Sequence, residues 1–183
     1  MRYLNSMRIK IIRGFTLIEL MVTILVLGIF MAIAMPDFTA VIENDSITNM
    51  SNDLITSLNM ARSEAIKRDV PVSVCATADN TYSSCGANWD LGWIVFVNPT
   101  GGSVLSNTAA APLLRTIAVT NQNATISTAP AVDIITYNGS GFTATSSSNV
   151  TFTVKATGCT TDSGRSIALN AVGHPVVTNI SCP

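Results

Sequence analysis

Histidine is almost absent: His174 is the only one in 183 residues. A Ser-His-Asp arrangement would rest on that one imidazole, with no supporting motif around it. A zinc site lacks ligands too, because none of the four cysteines stands in a C-x-x-C pair. There is no H-E-x-x-H, no phosphate-binding loop and no G-x-G-x-x-G. Gly101-Gly102 and Gly139-Ser140-Gly141 read as turns. Asp79, Asp90, Asp133 and Asp162 are scattered and form no calcium loop. These absences argue against an enzyme and imply no cofactor and no metal.

Charge is scarce as well. Only 11% of residues are charged, against about 25% in an ordinary soluble domain. Hydrophobic residues make up 48%, and part of that excess is local: Phe15 to Met35 is apolar except for Thr16, Glu19 and Thr23. The net charge of −1 hides an asymmetry, since Arg2, Arg8, Lys10 and Arg13 all precede Gly14. Without residues 1–14 the chain keeps six basic residues against eleven acidic ones, a net of −5. Non-specific nucleic-acid affinity comes from neutralising phosphates, so a domain this acidic is a poor general partner for DNA or RNA.

What is present begins with order. A basic leader is followed by Gly14, then Phe15-Thr16-Leu17-Ile18-Glu19-Leu20, then an apolar run to Met35. About 20 apolar residues span a bilayer as a helix, and basic residues on one flank keep that flank cytoplasmic. An ordinary secretory signal would be cut after the run, where Ala32-Ile33-Ala34 fits. A signal anchor would not be cut at all. Glu19 speaks against both. A carboxylate inside a spanning helix costs about 2.5 kcal/mol or more and is by default functional, with a partner. Cleavage after Gly14 would supply one: a new α-ammonium on Phe15, about one helical turn from Glu19. The pair could form within one chain or between neighbouring chains, and the second arrangement would set axial register in a bundle.

Beyond Pro36, Ile47, Met50, Leu54, Leu58, Ala61 and Ala65 recur at spacings of three and four. One long helix over about 15–68 is predicted, with kinks at Gly28 and Pro36. Asp69-Val70-Pro71 ends it. Strands are expected at 70–76, 91–97, 113–119, 124–128, 132–137, 150–156, 165–171 and 175–181. The stretch Thr143 to Asn149 reads as an exposed polar loop. Trp89 and Trp93, taken at strand spacing, fall on one face, so a core or sheet-packing role is expected for at least one of them rather than a carbohydrate or partner surface. The fold class is α+β: a long N-terminal helix, transmembrane in its first half and amphipathic in its second, packed on an antiparallel β-sheet head. Cys75, Cys85, Cys159 and Cys182 all follow the apolar segment and read as two disulfides of an exported domain. Of the three pairings open, Cys75–Cys85 with Cys159–Cys182 closes one short loop and ties down the C-terminal end.

Gly14-Phe15-Thr16-Leu17-Ile18-Glu19-Leu20 resembles the class III signal of type IV pilins and type II secretion pseudopilins. In the head, Ala61-Arg62-Ser63-Glu64-Ala65-Ile66-Lys67-Arg68, Trp89-Asp90-Leu91-Gly92-Trp93-Ile94-Val95-Phe96 and Gly164-Arg165-Ser166-Ile167 resemble the GspH/FimT-like family. Its members include type IV minor pilins and type II secretion pseudopilins, and this chain is closest in character to the FimU-like minor pilins. The resemblance implies that a prepilin peptidase cuts between Gly14 and Phe15 and N-methylates Phe15, and that Glu19 guides assembly. It implies a leader over 1–14, a transmembrane and filament-core helix over 15–35, an amphipathic helix over 36–68 and a periplasmic β-rich head over 69–183. The subunit would wait in the inner membrane, N-terminus cytoplasmic, before joining other pilin or pseudopilin subunits. The first function implied is a type IV minor pilin that helps initiate or cap the filament. The alternatives are a GspH-like pseudopilin of a type II secretion system and a FimT-like DNA-binding minor pilin. FimT-like proteins linked to DNA uptake carry a Gly-Arg-x-Arg element. Gly164-Arg165-Ser166-Ile167 lacks its second arginine, which leaves Arg165 as the one candidate DNA contact.

Overall fold

The computed structural model describes residues 14–101, 111–119, 123–143, 150–157, 164–170 and 172–181, and the side chains of all of these except 33–40. The leader up to residue 13, the loop 144–149, Asp162, Cys159 and Cys182 lie outside the described residues. The chain divides into two compact units, Met1–Thr39 and Ala40–Pro183.

Helix α1 runs from Leu17 to Arg68. Thr16 starts it: its Oγ1 accepts the Glu19 N–H at 3.3 Å, which satisfies one of the orphan donors of a first turn. Asp69, at φ 52°, ends it in the left-handed region, and Pro71 follows two residues on. Lys67 and Arg68 sit in the last turn, where positive charge complements the helix dipole. The helix is assigned without a break at Gly28 or Pro36.

In the second unit the described strands form two four-stranded antiparallel sheets rather than one. The first has the order β3 (Leu113–Ala118), β2 (Gly92–Val97), β1 (Val72–Ala76), β5 (Ile134–Tyr137). The second has the order β4 (Ala124–Ala129), β6 (Val150–Ala156), β7 (Gly164–Leu169), β8 (Pro175–Ile180). The predicted helical stripe is the core stripe: Ile47, Leu54, Leu58, Ala61 and Ala65 are buried against inner-face residues of both sheets, among them Val74, Trp93, Tyr137, Phe152 and Ile167.

The two sheets differ in how they meet water, and their sequences show why. β6 alternates Val150-Thr-Phe-Thr-Val-Lys-Ala, and its burial alternates in step, as expected for a sheet with one wet face. β1 and β2 are buried at every residue, and β2 reads as the apolar run Trp93-Ile94-Val95-Phe96-Val97. The second cover is the segment after β1. It folds back so that Tyr82 and Cys85 pack with Cys75, Ile94, Phe96, Leu113 and Ile134 in a separate small core on the outer face. The Cys75–Cys85 disulfide pins that cover across a sequence separation of 10. Closing so short a loop stabilises a fold by about 2–3 kcal/mol in the chain-entropy account. Changing Cys75 and Cys85 together to serine is therefore expected to lower unfolding free energy by about that amount, measured by denaturant titration. An unchanged midpoint would show that the cover holds without its bond.

Candidate functional site

The N-terminal unit carries the residues expected to direct assembly. Every side chain from Phe15 to Ala32 is exposed, Phe15 by 76% and Leu17 by 77%. Thr23 hides its hydroxyl by donating to the Leu20 carbonyl at 2.8 Å, so polar surface in this stretch is small. Large apolar residues left in water on all sides of a helix need a partner, either lipid or other helices. Among the described residues, however, no helix is long and apolar enough to cross a membrane.

Glu19 is exposed, and among the described residues its carboxylate has no ion pair. Its backbone does have a role that the sequence reading missed. Thr16-Leu17-Ile18-Glu19 has the T-x-x-E spacing of a capping box, and one arm of the box is formed, Thr16 Oγ1 to the Glu19 N–H. The side chain is thus left free while the main chain starts the helix. Phe15 follows Gly14 through an ordinary peptide bond in this chain, so no α-ammonium stands near Glu19 while that bond is intact.

The family-like segments of the head turn out to be latches between helix and sheets. Arg62 Nε donates to the Gly141 carbonyl at 3.1 Å, holding the turn after β5 against α1. Glu64 pairs with Arg68 at 2.6 Å and with Lys67 at 3.5 Å along the exposed face. The hydrogen bond from Arg68 holds the Glu64 carboxyl below its usual range. Trp89 and Trp93 do not share a strand. Asn88 caps a single 3-10 turn, Trp89–Leu91, by accepting the Asp90 N–H at 3.0 Å, and β2 begins only at Gly92. Both indoles are buried. Trp89 Nε1 donates to the Val132 carbonyl at 2.9 Å, and its ring meets Phe152 edge-on at 5.0 Å. Trp93 Nε1 donates to Ser57 Oγ at 2.9 Å. Between them Asp90 Oδ1 accepts the Ile126 N–H of β4 at 2.5 Å, tying one sheet to the other. Gly92 sits at φ 117°, and a β-carbon there would overlap the Ile117 carbonyl, so this position requires glycine.

Arg165, the one candidate DNA contact, is engaged within the head. It points inward from β7, half-buried, and its guanidinium donates to Thr48 Oγ1 on α1 and to Asn179 Oδ1 on β8, both at 3.1 Å. The parity of Arg165 with Ile167 and Leu169 could have shown this, since alternate residues of a strand share a face. His174 is exposed and its backbone N–H bonds Asn170 Oδ1 at 3.1 Å. Tyr137 is buried, with its hydroxyl donating to the Gly173 carbonyl at 3.3 Å; burial pushes its phenol well above the usual range. An open groove of about 380 Å³ lies between α1 and the end of β3, lined by Ile42, Asp45, Met50, Asp53, Ile117 and Val119. It holds no convergent acid, base or nucleophile set. Among the described residues no group of three or more His, Cys, Asp or Glu side chains is placed to hold a metal ion.

A helix with an exposed apolar end, continuing into the core of a β-sheet head and started by a prepilin-like signal, defines the type IV pilin-like class of filament subunits. Residues 9–35 match the model of the prokaryotic N-terminal methylation motif. Residues 50–173 match the model of the type II transport protein GspH, and the chain belongs to that family. Its fold is similar to crystal structures of the type IV minor pilin FimU of Pseudomonas aeruginosa strain PAO1. The P21 form gives a TM-score of 0.59 at 21% identity, covering 74% of this chain and 90% of that one. The P65 form gives 0.55 at 21% identity, covering 72% and 91%. No curated protein matches the chain. The protein is thus a minor pilin or a GspH-like pseudopilin, of a family and fold built for assembly with other pilin subunits.

Proposed function

We propose that this chain is a minor pilin of a type IV pilus that helps initiate or cap the filament. The observation that carries the reading is the methylation motif over residues 9–35, together with a helix start whose side chains from Phe15 to Ala32 are exposed on every side. In this reading a prepilin peptidase removes residues 1–14 and methylates the Phe15 amine. Residues 15–35 hold the subunit in the inner membrane with the head outside, and 36–68 and 69–183 form the head's helix and its sheets. On extraction, Glu19 compensates a Phe15 ammonium, in its own chain or in a neighbour. A contact that repeats without closing grows a helical filament. Head charge and the engaged Arg165 favour assembly over DNA capture.

The test of processing is the intact mass of the mature protein from its native host, expected to begin at Phe15 and to carry one added methyl group. A mature start at Met35 would falsify the reading. The family match to GspH favours a second reading, a pseudopilin of a type II secretion system. Deletion of the gene separates the two: loss of surface pili with secretion intact supports the first, and loss of secreted proteins with pili intact supports the second.

A further inference from the structure

Charge is segregated along the part of α1 that belongs to the head. Residues 40–61 hold Glu43, Asp45 and Asp53 and no lysine or arginine. Three of the six basic residues that follow Gly14 then crowd into 62–68, as Arg62, Lys67 and Arg68. The helix dipole accounts for bases near the last turn, but its effect is confined to the end turns. It gives no reason for carboxylates in mid-helix, where α1 is assigned without a break. Among the described residues Glu43 and Asp45 have no ion pair, and Asp53 pairs only with Arg115, at 3.4 Å. Even with Arg115 beside Asp53 and Arg165 on Thr48, three acids against two bases leave this end net negative. At the other end Glu64 serves both Lys67 and Arg68, and three bases against Glu64 and Asp69 leave it net positive. Asp45 and Lys67 lie about 33 Å apart along the helix, at a rise of about 1.5 Å per residue, and do not meet within one chain.

Each end also carries an apolar feature, and the two are of opposite shape. At the acidic end Ile42 is half exposed beside the open groove, which Met50, Ile117 and Val119 line together with Asp45 and Asp53. At the basic end three chain segments bring Ile66, Phe142 and Val172 to the surface, each about half exposed. Two glycines hold these segments close. A β-carbon on Gly141 would overlap Ile66, and one on Gly173 would overlap the Gly141 carbonyl and the Tyr137 ring. Phe142 itself stands on a fixed support: Asn138 Oδ1 accepts its N–H at 3.0 Å, and the Asn138 N–H donates to its carbonyl at 3.0 Å. Arg62 ties the same turn to α1 through the Gly141 carbonyl. An exposed aromatic ring on a pinned turn with bases beside it has the composition of an interface anchor.

We propose that the groove between α1 and β3 receives Phe142 of a second copy of this chain, with Lys67 and Arg68 of that copy facing Asp45. The proposal deepens the reading of the chain as a filament subunit and rests on it. A second copy is the occupant because both halves of the contact are present on this one chain. They complement each other in charge and in shape, and they are too far apart to satisfy each other within one head. The groove lies at β3 and Phe142 follows β5, the two outer strands of the first sheet. A copy in the same orientation, displaced so that its basic end meets the acidic end of the first, brings ring to groove and ammonium to carboxylate. Such a contact is heterologous: each copy keeps one groove or one anchor for the next, so the contact repeats without closing.

The experiment uses the full chain in its native host, with the photo-cross-linker p-benzoylphenylalanine in place of Phe142 and, as a control, in place of Thr125, which is exposed on β4. The expected result is a covalent dimer of this chain from Phe142, mapped by mass spectrometry to the groove segments 42–53 or 117–119, and little or none from Thr125. Asp45→Lys is expected to lower the dimer yield about fivefold, the scale of an exposed charge pair turned repulsive, at unchanged melting temperature. Lys67→Glu is expected to do the same. Combined in one chain, the two reversals restore opposite charges between copies and should recover the yield. A role within one head would not be rescued in this way, because the two positions do not meet there. The proposal is overturned by a product with a different protein in place of the dimer, or by a cross-link confined to one chain. Absence of product from a chain that is processed at Phe15 and incorporated overturns it too, as does failure of the double reversal to rescue. A chain neither processed nor incorporated overturns the filament reading and this proposal with it.

Discussion

Glu19→Ala is expected to leave membrane insertion intact and to reduce incorporation into the filament by about two to four orders of magnitude. The size follows from what is left behind. In the proposed assembly the Glu19 carboxylate faces a Phe15 ammonium inside a bundle of apolar helices. Removing one member of such a pair strands the other charge in a low-dielectric site, at a cost of about 3–5 kcal/mol. Insertion itself should become easier, because the carboxylate alone costs about 2.5 kcal/mol or more within a membrane. Quantitative blotting of sheared filaments against the membrane fraction measures both. Two companion variants separate charge from helix capping. Thr16→Ala removes the hydroxyl that accepts the Glu19 N–H and keeps the carboxylate, so assembly should fall by no more than about fivefold, as the loss of one cap is about 1 kcal/mol. Glu19→Gln keeps size and polarity without charge and should behave like alanine. Wild-type incorporation of Glu19→Ala would refute the pairing.

Trp93→Ala is expected to be the most damaging single change in the head. Its side chain is fully buried where β2 meets α1, and its Nε1 holds Ser57. Truncating a buried tryptophan costs about 3–5 kcal/mol. For a head of this size that is a fall in melting temperature on the order of 10 °C or more, read by circular dichroism or calorimetry. Trp93→Phe keeps most of the volume and loses the N–H donor, so about 1 kcal/mol for the hydrogen bond is expected on top of a smaller packing loss. A melting temperature for Trp93→Ala within a few degrees of wild type would show that the helix and first sheet do not depend on this contact.

Most elements were legible because their patterns are local. The period of three and four from Ile47 to Ala65 gave the buried stripe of α1, and Asp69-Val70-Pro71 gave its end. The alternation of β6 and the unbroken apolar run of β2 even anticipate which sheet is wet on one face and which is covered on both. The division into two sheets was not legible, since it is a matter of which strands pair, and strands as far apart as β1 and β5 are neighbours. The tryptophans are core residues as expected, but they share no strand, for a local reason. A spacing of four suits a strand face, but Asn88 can cap a turn and Gly92 can take a backbone angle that starts the strand afresh. Arg165 was singled out from a short family resemblance, and its bonds to Thr48 and Asn179 follow instead from its parity with Ile167 on the strand. The choice between pilus and secretion machine has no counterpart in packing or charge, because both machines would use the same helix and the same signal.

The short hydrogen bond from the Ile126 N–H to Asp90 has one more consequence, for valency. By occupying the edge of β4, it leaves the second sheet able to grow on one side only. A sheet open at both ends could pass pairing from head to head without limit, as amyloid does. With the Ile126 N–H already taken, pairing cannot run through the second sheet from one head to the next, so one carboxylate helps keep a β-rich head from end-to-end sheet growth.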